Sequence, residues 1–311
     1  MLLGLIVSAR TLAQTIPETP LPSLPSNAAI NQSVNVTFSW AATAHAVKYR
    51  LQVASVTSFS DSSVILDTAI ADNGLLTITF TSDSLKYSTK YYWRLNASSA
   101  DSTSAWSTVY NFTTVIAPPA TPVETLPLPY AHSIALSSSA KWNAVANATT
   151  YQVQVDTSTL FAAPAINDST LTTTTKVLSL LLNYKRYYWR VRAKNIGGAS
   201  VWSSAQTFLT ELSQPTLLAP ASATVNQSIS PVLKWNANAN ALLYSLQVST
   251  SSTFATLVLS DSLITDTVRT IGPFNNSTTY YWHVLAKNDS CTSQYQTTAF
   301  SFTTIAAAPA N

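Results

Sequence analysis

Three short segments of the chain alternate apolar and polar residues at a period of two. In the first of them, Tyr49 and Leu51 fall on one side of an extended strand, and Arg50 and Gln52 fall on the other. No stretch of the sequence sustains the 3.6-residue period of an amphipathic helix. The pattern therefore predicts half-buried strands and an all-β fold. The three segments are YRLQV (49–53), YQVQV (151–155) and YSLQV (244–248).

A second pattern, in which a base follows three consecutive aromatic residues, also occurs three times. Its copies begin 96 and 93 residues apart, and an alternating segment precedes each of them. A unit of this length suits one β-domain and is too long for a solenoid repeat. The chain is therefore predicted to hold three copies of one domain. The pattern reads YYWRL (91–95), YYWRV (187–191) and YYWHV (280–284).

Turn residues and prolines divide the chain between these markers. Turn signals such as ADNG (71–74) separate the strands, and proline-bearing seams at 115–122 and 211–215 separate the copies. Short strands at regular spacing predict three antiparallel β-sandwiches in tandem. Because the seams are short, we expect a monomeric chain of beads on a string with limited hinge freedom. The predicted domains are 17–114, 117–210 and 213–305, with a possible signal peptide at 1–13 and a linker-like C-terminus at 306–311.

The residues around each YYW strand resemble those of fibronectin type III domains. That family carries an early strand Trp and, later, a Leu-x-Pro-x-Thr-x-Tyr pattern that leads into an alternating strand. Here the first copy reads Leu85-x-Tyr87-x-Thr89-x-Tyr91, and the family's proline is replaced in all three copies. The resemblance covers roughly residues 17–305. The lack of paired cysteines disfavours the nearest rival, a disulfide-bearing immunoglobulin domain.

The resemblance implies a fold and a class of function. The fold is a seven-stranded sandwich, and Tyr91, Tyr187 and Tyr280 become tyrosine corners whose hydroxyls bond nearby backbone. Domains of this family serve as spacers, adhesive modules or protein-binding modules. They occur in tandem in bacterial secreted or cell-surface proteins.

Period two divides each YYW strand into an inward and an outward row. The inward aromatics are predicted to pack on the early Trp, and burying one such side chain contributes about 1.5–3 kcal/mol. These residues form the predicted structural core and carry no function of their own. They are Trp40, Tyr91 and Trp93 in the first copy, Trp142, Tyr187 and Trp189 in the second, and Trp235, Tyr280 and Trp282 in the third.

The outward row is the most site-like surface of the chain, and we call it the outer strip. An aromatic residue stands nine positions after the last Ala of each YYW strand, and we predict that it stacks over the outward base. Such a contact either holds neighbouring strands of the domain together, which is the favoured interpretation, or offers a platform for a ligand. The outer strip consists of Tyr92, Arg94 and Trp106, then Tyr188, Arg190, Arg192 and Trp202, then Tyr281, His283 and Tyr295.

Composition and charge narrow the choice of partners. Charged residues make up 9% of the chain, and its net charge of +3 includes no basic run, which disfavours a nucleic-acid partner. The apolar run 2–7 followed by small residues suggests a secretory signal. No segment reaches the roughly 18 apolar residues of a membrane span. The single cysteine, Cys291, is expected to be a buried small apolar residue.

The sequence carries no catalytic signature, no phosphate loop and no metal-ligand spacing, so we expect no enzyme, no cofactor and no metal site. Asp67, Asp168 and Asp261 recur in register, and turn capping is favoured over a calcium site. The favoured reading is a non-catalytic array, secreted or at the cell surface, with an extracellular protein or polysaccharide as its ligand. The alternative is an accessory, carbohydrate-binding segment of a secreted hydrolase whose catalytic domain lies outside this chain.

Overall fold

A computed structural model describes residues 16–83 and 85–308. All regular elements among these residues are β-strands. The described residues contain no helix that is long and apolar enough to cross a membrane. The predicted signal peptide at 1–13 lies outside the described residues. The described chain divides into two compact units. The first comprises the residues up to Pro118 together with Asn195–Gly198, and the second comprises the remainder.

The first unit contains one β-sandwich. Its strands are β1 (Pro22–Leu24), β2 (Ala29–Gln32), β3 (Thr37–Ala41), β4 (Lys48–Ala54), β5 (Val64–Ala71), β6 (Thr77–Thr81), β7 (Lys90–Ser98) and β8 (Tyr110–Thr114). One sheet has the order β1-β3-β6 and the other the order β2-β8-β7-β4-β5. Strand β7, which carries YYWRL, therefore lies inside the larger sheet, between β8 and β4.

The second unit contains two further sandwiches built in the same way. The second sandwich has strands β9 (Glu124–Leu126), β10 (Ala131–Ile134), β11 (Ser139–Trp142), β12 (Thr150–Asp156), β13 (Ile166–Leu171), β14 (Thr175–Val177), β15 (Arg186–Asn195), β16 (Gly198–Ala199) and β17 (Gln206–Thr210). Its sheets have the orders β14-β11-β9 and β10-β17-β15-β12-β13, with β16 beside β15.

The third sandwich repeats this arrangement. Its strands are β18 (Leu217–Ala219), β19 (Thr224–Gln227), β20 (Val232–Trp235), β21 (Leu243–Ser249), β22 (Leu257–Ile264), β23 (Val268–Thr270), β24 (Thr279–Lys287) and β25 (Phe300–Thr304). The sheets have the orders β18-β20-β23 and β19-β25-β24-β21-β22. The predicted fold class, three tandem β-sandwiches of the immunoglobulin-like type, is confirmed.

The first strand of each sandwich is split between the two sheets, a detail that the sequence pattern did not predict. Its first part pairs antiparallel with the Trp-bearing strand, and its second part pairs parallel with the last strand. A proline follows the first part in each copy, and the missing backbone N–H ends the pairing there. One parallel pair per sandwich thus joins the expected antiparallel ladders. The prolines are Pro25, Pro127 and Pro220.

The inward aromatics lie between the two sheets of each sandwich. Each early Trp meets the Tyr of the alternating strand, with ring centroids 5.5 Å apart for Trp40 and Tyr49. The Tyr91 hydroxyl accepts a hydrogen bond of 3.0 Å from the backbone N–H of Lys86, which is the geometry of a tyrosine corner. The same bond recurs at Tyr187 and at Tyr280. All nine predicted core aromatics are at most 3% exposed.

The segment between the second and third sandwiches is partly buried. Leu209 and Leu212 pack into the hydrophobic core of the third sandwich. The Glu211 carboxylate accepts a hydrogen bond from Gln294 Nε2 at 3.0 Å, and the buried Cys291 thiol lies 3.5 Å from the carbonyl oxygen of Thr210. Because two apolar side chains of the seam find cover in the next core, these two sandwiches are packed more closely than separate beads on a string.

Candidate functional site

The bases of the outer strip lie between two aromatic rings on the outer face of the larger sheet. In the first sandwich, the guanidinium carbon of Arg94 is 4.1 Å from the ring centroid of Phe59 and 4.2 Å from that of Trp106. The distance to Trp106 is within the 6 Å at which a cation is attracted to a ring face. The stack therefore consists of three layers, with the base in the middle.

The same three-layer stack is present in the other two sandwiches. Arg190 lies 4.1 Å from the centroid of Phe161 and 4.4 Å from that of Trp202. A second guanidinium, that of Arg192, lies 4.5 Å from the Trp202 centroid. The third sandwich has a neutral version. There the His283 ring is 3.6 Å from Phe254 and 3.9 Å from Tyr295, with interplanar angles of 5° and 15°.

A glutamine of the neighbouring strand holds each base in its stack. The Nε and Nη2 groups of Arg94 donate to Gln52 Oε1 at 3.0 and 2.8 Å, and those of Arg190 donate to Gln154 Oε1 at 2.9 and 2.7 Å. These residues are direct cross-strand partners in the ladders. His283 Nε2 lies 2.9 Å from Gln247 Oε1, within hydrogen-bond distance.

The phenylalanine of each stack is a member that the sequence analysis did not assign. Phe59, Phe161 and Phe254 have φ angles of 50°, 51° and 55°, in the left-handed region that bulky residues rarely adopt. This backbone conformation costs of order 1–3 kcal/mol, and each of these rings lies against its base. The signal that marks these residues in the sequence is their constant spacing, seven positions after the glutamine.

Further polar contacts surround the stacks and differ between copies. In the first, Arg50 Nε donates to Asp67 Oδ1 at 2.7 Å, and this bond holds the pKa of Asp67 below its usual value. In the second, Arg192 donates twice to Gln152 Oε1, at 2.9 and 2.7 Å. Burial lowers the pKa of Arg94 and of Arg190 from the usual guanidinium value, and a neighbouring arginine adds to the effect in each case.

The outer face of the larger sheet is less exposed than the alternation predicts. Gln52, Gln152 and His283 are only 7%, 8% and 7% exposed, although they point away from the core. The loop that bears the phenylalanine and the segment that bears Trp106, Trp202 or Tyr295 fold over the sheet and cover them. Asn96, two positions after Arg94 in the outward row of the same strand, is 6% exposed.

The tyrosines of the outer strip lie beyond the three-layer stacks. Tyr92, Tyr188 and Tyr281 are each half-buried and stand two positions before the stacked base on the same strand. In the first sandwich, the ammonium group of Lys90 lies 5.5 Å from the ring centroid of Tyr92. The outer strip therefore has two parts, a closed stack and a tyrosine row.

The recurring aspartates do not lie at strand ends, and that part of the prediction is wrong. Asp168 and Asp261 still accept a hydrogen bond from the backbone N–H two residues on, as a turn-capping aspartate does. Asp67, Asp168 and Asp261 lie inside β5, β13 and β22 and pair with bases. Lys176 Nζ is 2.7 Å from Asp168 Oδ2, and this hydrogen bond, with two from the backbone N–H and the hydroxyl of Thr170, lowers the pKa of Asp168 to about 2. Within residues 16–83 and 85–308, no three His, Cys, Asp or Glu side chains form a group that could hold a metal ion.

The histidine stack predicts an acid-sensitive third sandwich. Burial between Phe254 and Tyr295 lowers the pKa of His283 to about 4, against an ordinary value of about 6.5. The folded state therefore binds the proton less readily than the unfolded state, so stability is full above pH 6.5 and falls as the pH approaches 4. We expect the urea concentration at the unfolding midpoint of the third sandwich to be lower at pH 4.5 than at pH 7.

The matched control for this experiment is His283→Arg, which carries the base of the other two copies. Because arginine stays charged throughout this range, the variant should lose the part of the pH dependence that belongs to position 283, while the carboxylates of the chain titrate as before. An equal pH dependence in both proteins would contradict the assignment.

No protein-family model matches the chain, and no curated protein matches it. Among solved structures, the chain is similar to the FN1–FN3 domains of chicken CNTN1, with 15% sequence identity and a TM-score of 0.31. The match covers 94% of this chain and 100% of that one. The fold is that of tandem fibronectin type III-like β-sandwiches. The split first strand, the two sheet orders and the tyrosine corners of each sandwich are the observations behind that description.

Proposed function

We propose that the chain is a non-catalytic array, secreted or at the cell surface, whose sandwiches act as structural and binding modules. The observation that carries this proposal is the closed stack. Each base of the three stacks has a ring on both faces and a glutamine oxygen at its edge. A base held in this way ties strands and loops together.

The tyrosine row is the part of the outer strip that serves as a contact surface. Tyrosine offers a large, rigid, amphipathic surface at a low cost in conformational entropy, which suits contact with a protein or a polysaccharide. The row recurs at one register in all three copies, at Tyr92, Tyr188 and Tyr281. A repeated weak contact of this kind gains strength when several modules bind one extended ligand.

A binding screen of the full chain against extracellular-matrix proteins, cell-wall polysaccharides and glycans tests the proposal. We expect at least one ligand of these classes, with binding reduced at least tenfold in the double variant Tyr92→Ala, Tyr188→Ala. Leu76→Ala is the matched control, because Leu76 is 91% exposed and lies next to β6 of the smaller sheet. It should bind as the wild type does.

Three results would overturn parts of this proposal. Binding that is unchanged in the double variant would remove the tyrosine row as the contact surface. The absence of any ligand would restrict the chain to a structural role. Turnover of any polysaccharide or peptide in the screen by the purified chain would contradict a non-catalytic array.

A further inference from the structure

A cavity of about 190 Å³ opens on the outer face of the first sandwich, beside the closed stack. Strands β4 and β7 form its floor, and the segment after β7 forms one wall. The lining combines two cationic side chains, two hydroxyls, one amide and one methyl group. These belong to Lys48, Arg50, Ser98, Thr103, Asn96 and Ala69.

The cavity exists because of one position in the ladder. In the first sandwich Arg50 is the cross-strand partner of Asn96, and the equivalent pair in the second sandwich is Gln152 with Arg192. There the long Arg192 side chain lies along the outer face, bonds Gln152 and reaches the Trp202 ring. In the third sandwich this position is Leu285.

Asn96 is shorter than Arg192, its counterpart in the second sandwich, and leaves the space open. The Arg50 side chain does not fill the space, because its guanidinium turns to Asp67 at 2.7 Å. The first sandwich therefore carries an opening at a place where the second copy carries a long side chain.

The amide of Asn96 is the second observation that points to a ligand. Asn96 is 6% exposed, and among the described residues its Oδ1 atom is enclosed without a hydrogen-bond partner. An unpaired buried polar group costs about 1–3 kcal/mol, so an amide here is unfavourable for the fold alone. On the facing side, the hydroxyls of Ser98 and Thr103 are 3.0 Å apart and form a polar pair at the rim.

We infer that this cavity binds a sugar acid, with the carboxylate beside Lys48 and Arg50 and the ring hydroxyls beside Asn96, Ser98 and Thr103. A carboxylate suits the two cations, hydroxyls suit an amide and two hydroxyl side chains, and the methyl group of Ala69 gives the ring an apolar contact. The volume is below that of pockets for drug-sized ligands, which fits a single ring. The inference rests on the proposed binding role of the chain but not on the tyrosine row.

Isothermal titration of the full chain tests this inference, with D-galacturonate, a galacturonate oligomer and neutral D-galactose as probes. We expect galacturonate in at least one of its two forms to bind at least tenfold more tightly than galactose. Equal affinity for the monomer and for each unit of the oligomer identifies a free sugar acid. Binding of the oligomer alone identifies an acidic polysaccharide, and both results support the same chemistry.

Asn96→Leu is the decisive variant, since leucine is the residue of the third copy at this register. It keeps nearly the same shape and removes the unpaired amide that would contact the ring hydroxyls, so galacturonate binding should fall at least tenfold while the melting temperature does not fall. Lys48→Met is a second variant that leaves Asn96 in place, and it should weaken galacturonate more than galactose. Unchanged affinity in both variants, or equal affinity of the wild type for galactose and galacturonate, would overturn the inference.

The double variant Tyr92→Ala, Tyr188→Ala separates this inference from the proposed function. Its side chains lie outside the cavity lining, so galacturonate binding should persist in it. Persistence there together with loss in Asn96→Leu supports the cavity even if the tyrosine row proves to bind nothing.

Discussion

Replacing Trp189 by alanine is expected to destabilise the second sandwich by about 3–5 kcal/mol, the usual range for removing a large buried aromatic side chain. Trp189 is 0% exposed and lies on β15, inside the larger sheet of its sandwich. Its ring packs in the core that includes Tyr151, Val153 and Phe208. Alanine would leave a cavity that two facing sheets cannot close without losing their ladders.

Two matched variants show how much of the expected loss of stability comes from the lost side-chain volume. Trp189→Phe should cost much less than Trp189→Ala, because it keeps an aromatic ring and loses no hydrogen bond. The indole Nε1 of Trp189 has no acceptor among the described residues. Tyr188→Ala, one position along the same strand, removes a half-buried outward ring and should cost about 1 kcal/mol or less.

Urea unfolding of the full chain, followed by hydrogen exchange of peptides from β15, measures these differences. The peptide readout is needed because a chain of several domains does not unfold as two states. Equal losses for Trp189→Ala and Tyr188→Ala would contradict the division of the YYW strand into an inward and an outward row.

The faces on which the strand side chains lie were predictable from the sequence, because the alternation of side chains depends on the backbone alone. Successive side chains of a strand point to opposite faces whatever they contact, so the inward place of Trp93 and the outward place of Arg94 followed from their neighbours. The constant spacing from Ala97 to Trp106 was equally readable, since three copies of one fold place equal spacings at equal points in space. The ring of Trp106 lies over Arg94 as predicted, with its centroid 4.2 Å from the guanidinium carbon.

The covering of the outer face was not predictable, because it depends on loops whose backbone leaves the regular regions. Phe59 reaches Arg94 only through a left-handed φ of 50°, and no periodicity signals such a conformation. The same holds for exposure. Alternation indicates that Gln52 and Asn96 point outward, but burial there is decided by segments distant in sequence.

The contacts at the junction of the second and third sandwiches were not predictable for a different reason. Glu211 and the proline at 215 mark a seam by composition, whereas Leu209 and Leu212 supply apolar surface that the next sandwich covers. Composition averages over these residues, and the outcome depends on which of them meets a neighbour. A charged residue such as Glu211 is tolerated at 9% exposure because Gln294 and the backbone of Leu136 donate to its carboxylate.

Replacing Arg94 by lysine is expected to cost the first sandwich about 2 kcal/mol, even though the charge is kept. Arg94 gives two hydrogen bonds to one oxygen of Gln52 and covers two rings with a flat group. Hydrogen bonds to a charged group contribute about 1.5–3 kcal/mol, and the contact of a cation with a ring adds about 0.5–1 kcal/mol. A lysine ammonium is a compact, strongly hydrated point charge that cannot fill the layer between two rings.

Arg94→His separates planarity from charge, because the third sandwich already uses a neutral histidine between two rings with one contact to glutamine. We therefore expect Arg94→His to retain more stability at pH 7 than Arg94→Lys, in urea unfolding followed through exchange of β7 peptides. Combining Arg94→Lys with Gln52→Leu should cost less than the sum of the two single changes, since both remove the same bonds. A lysine variant as stable as the wild type would mean that charge alone holds the outer face. The recurrence of flat side chains at 94, 190 and 283 would then have no energetic basis, whereas a loss in lysine with retention in histidine assigns the repeated pattern to stacking.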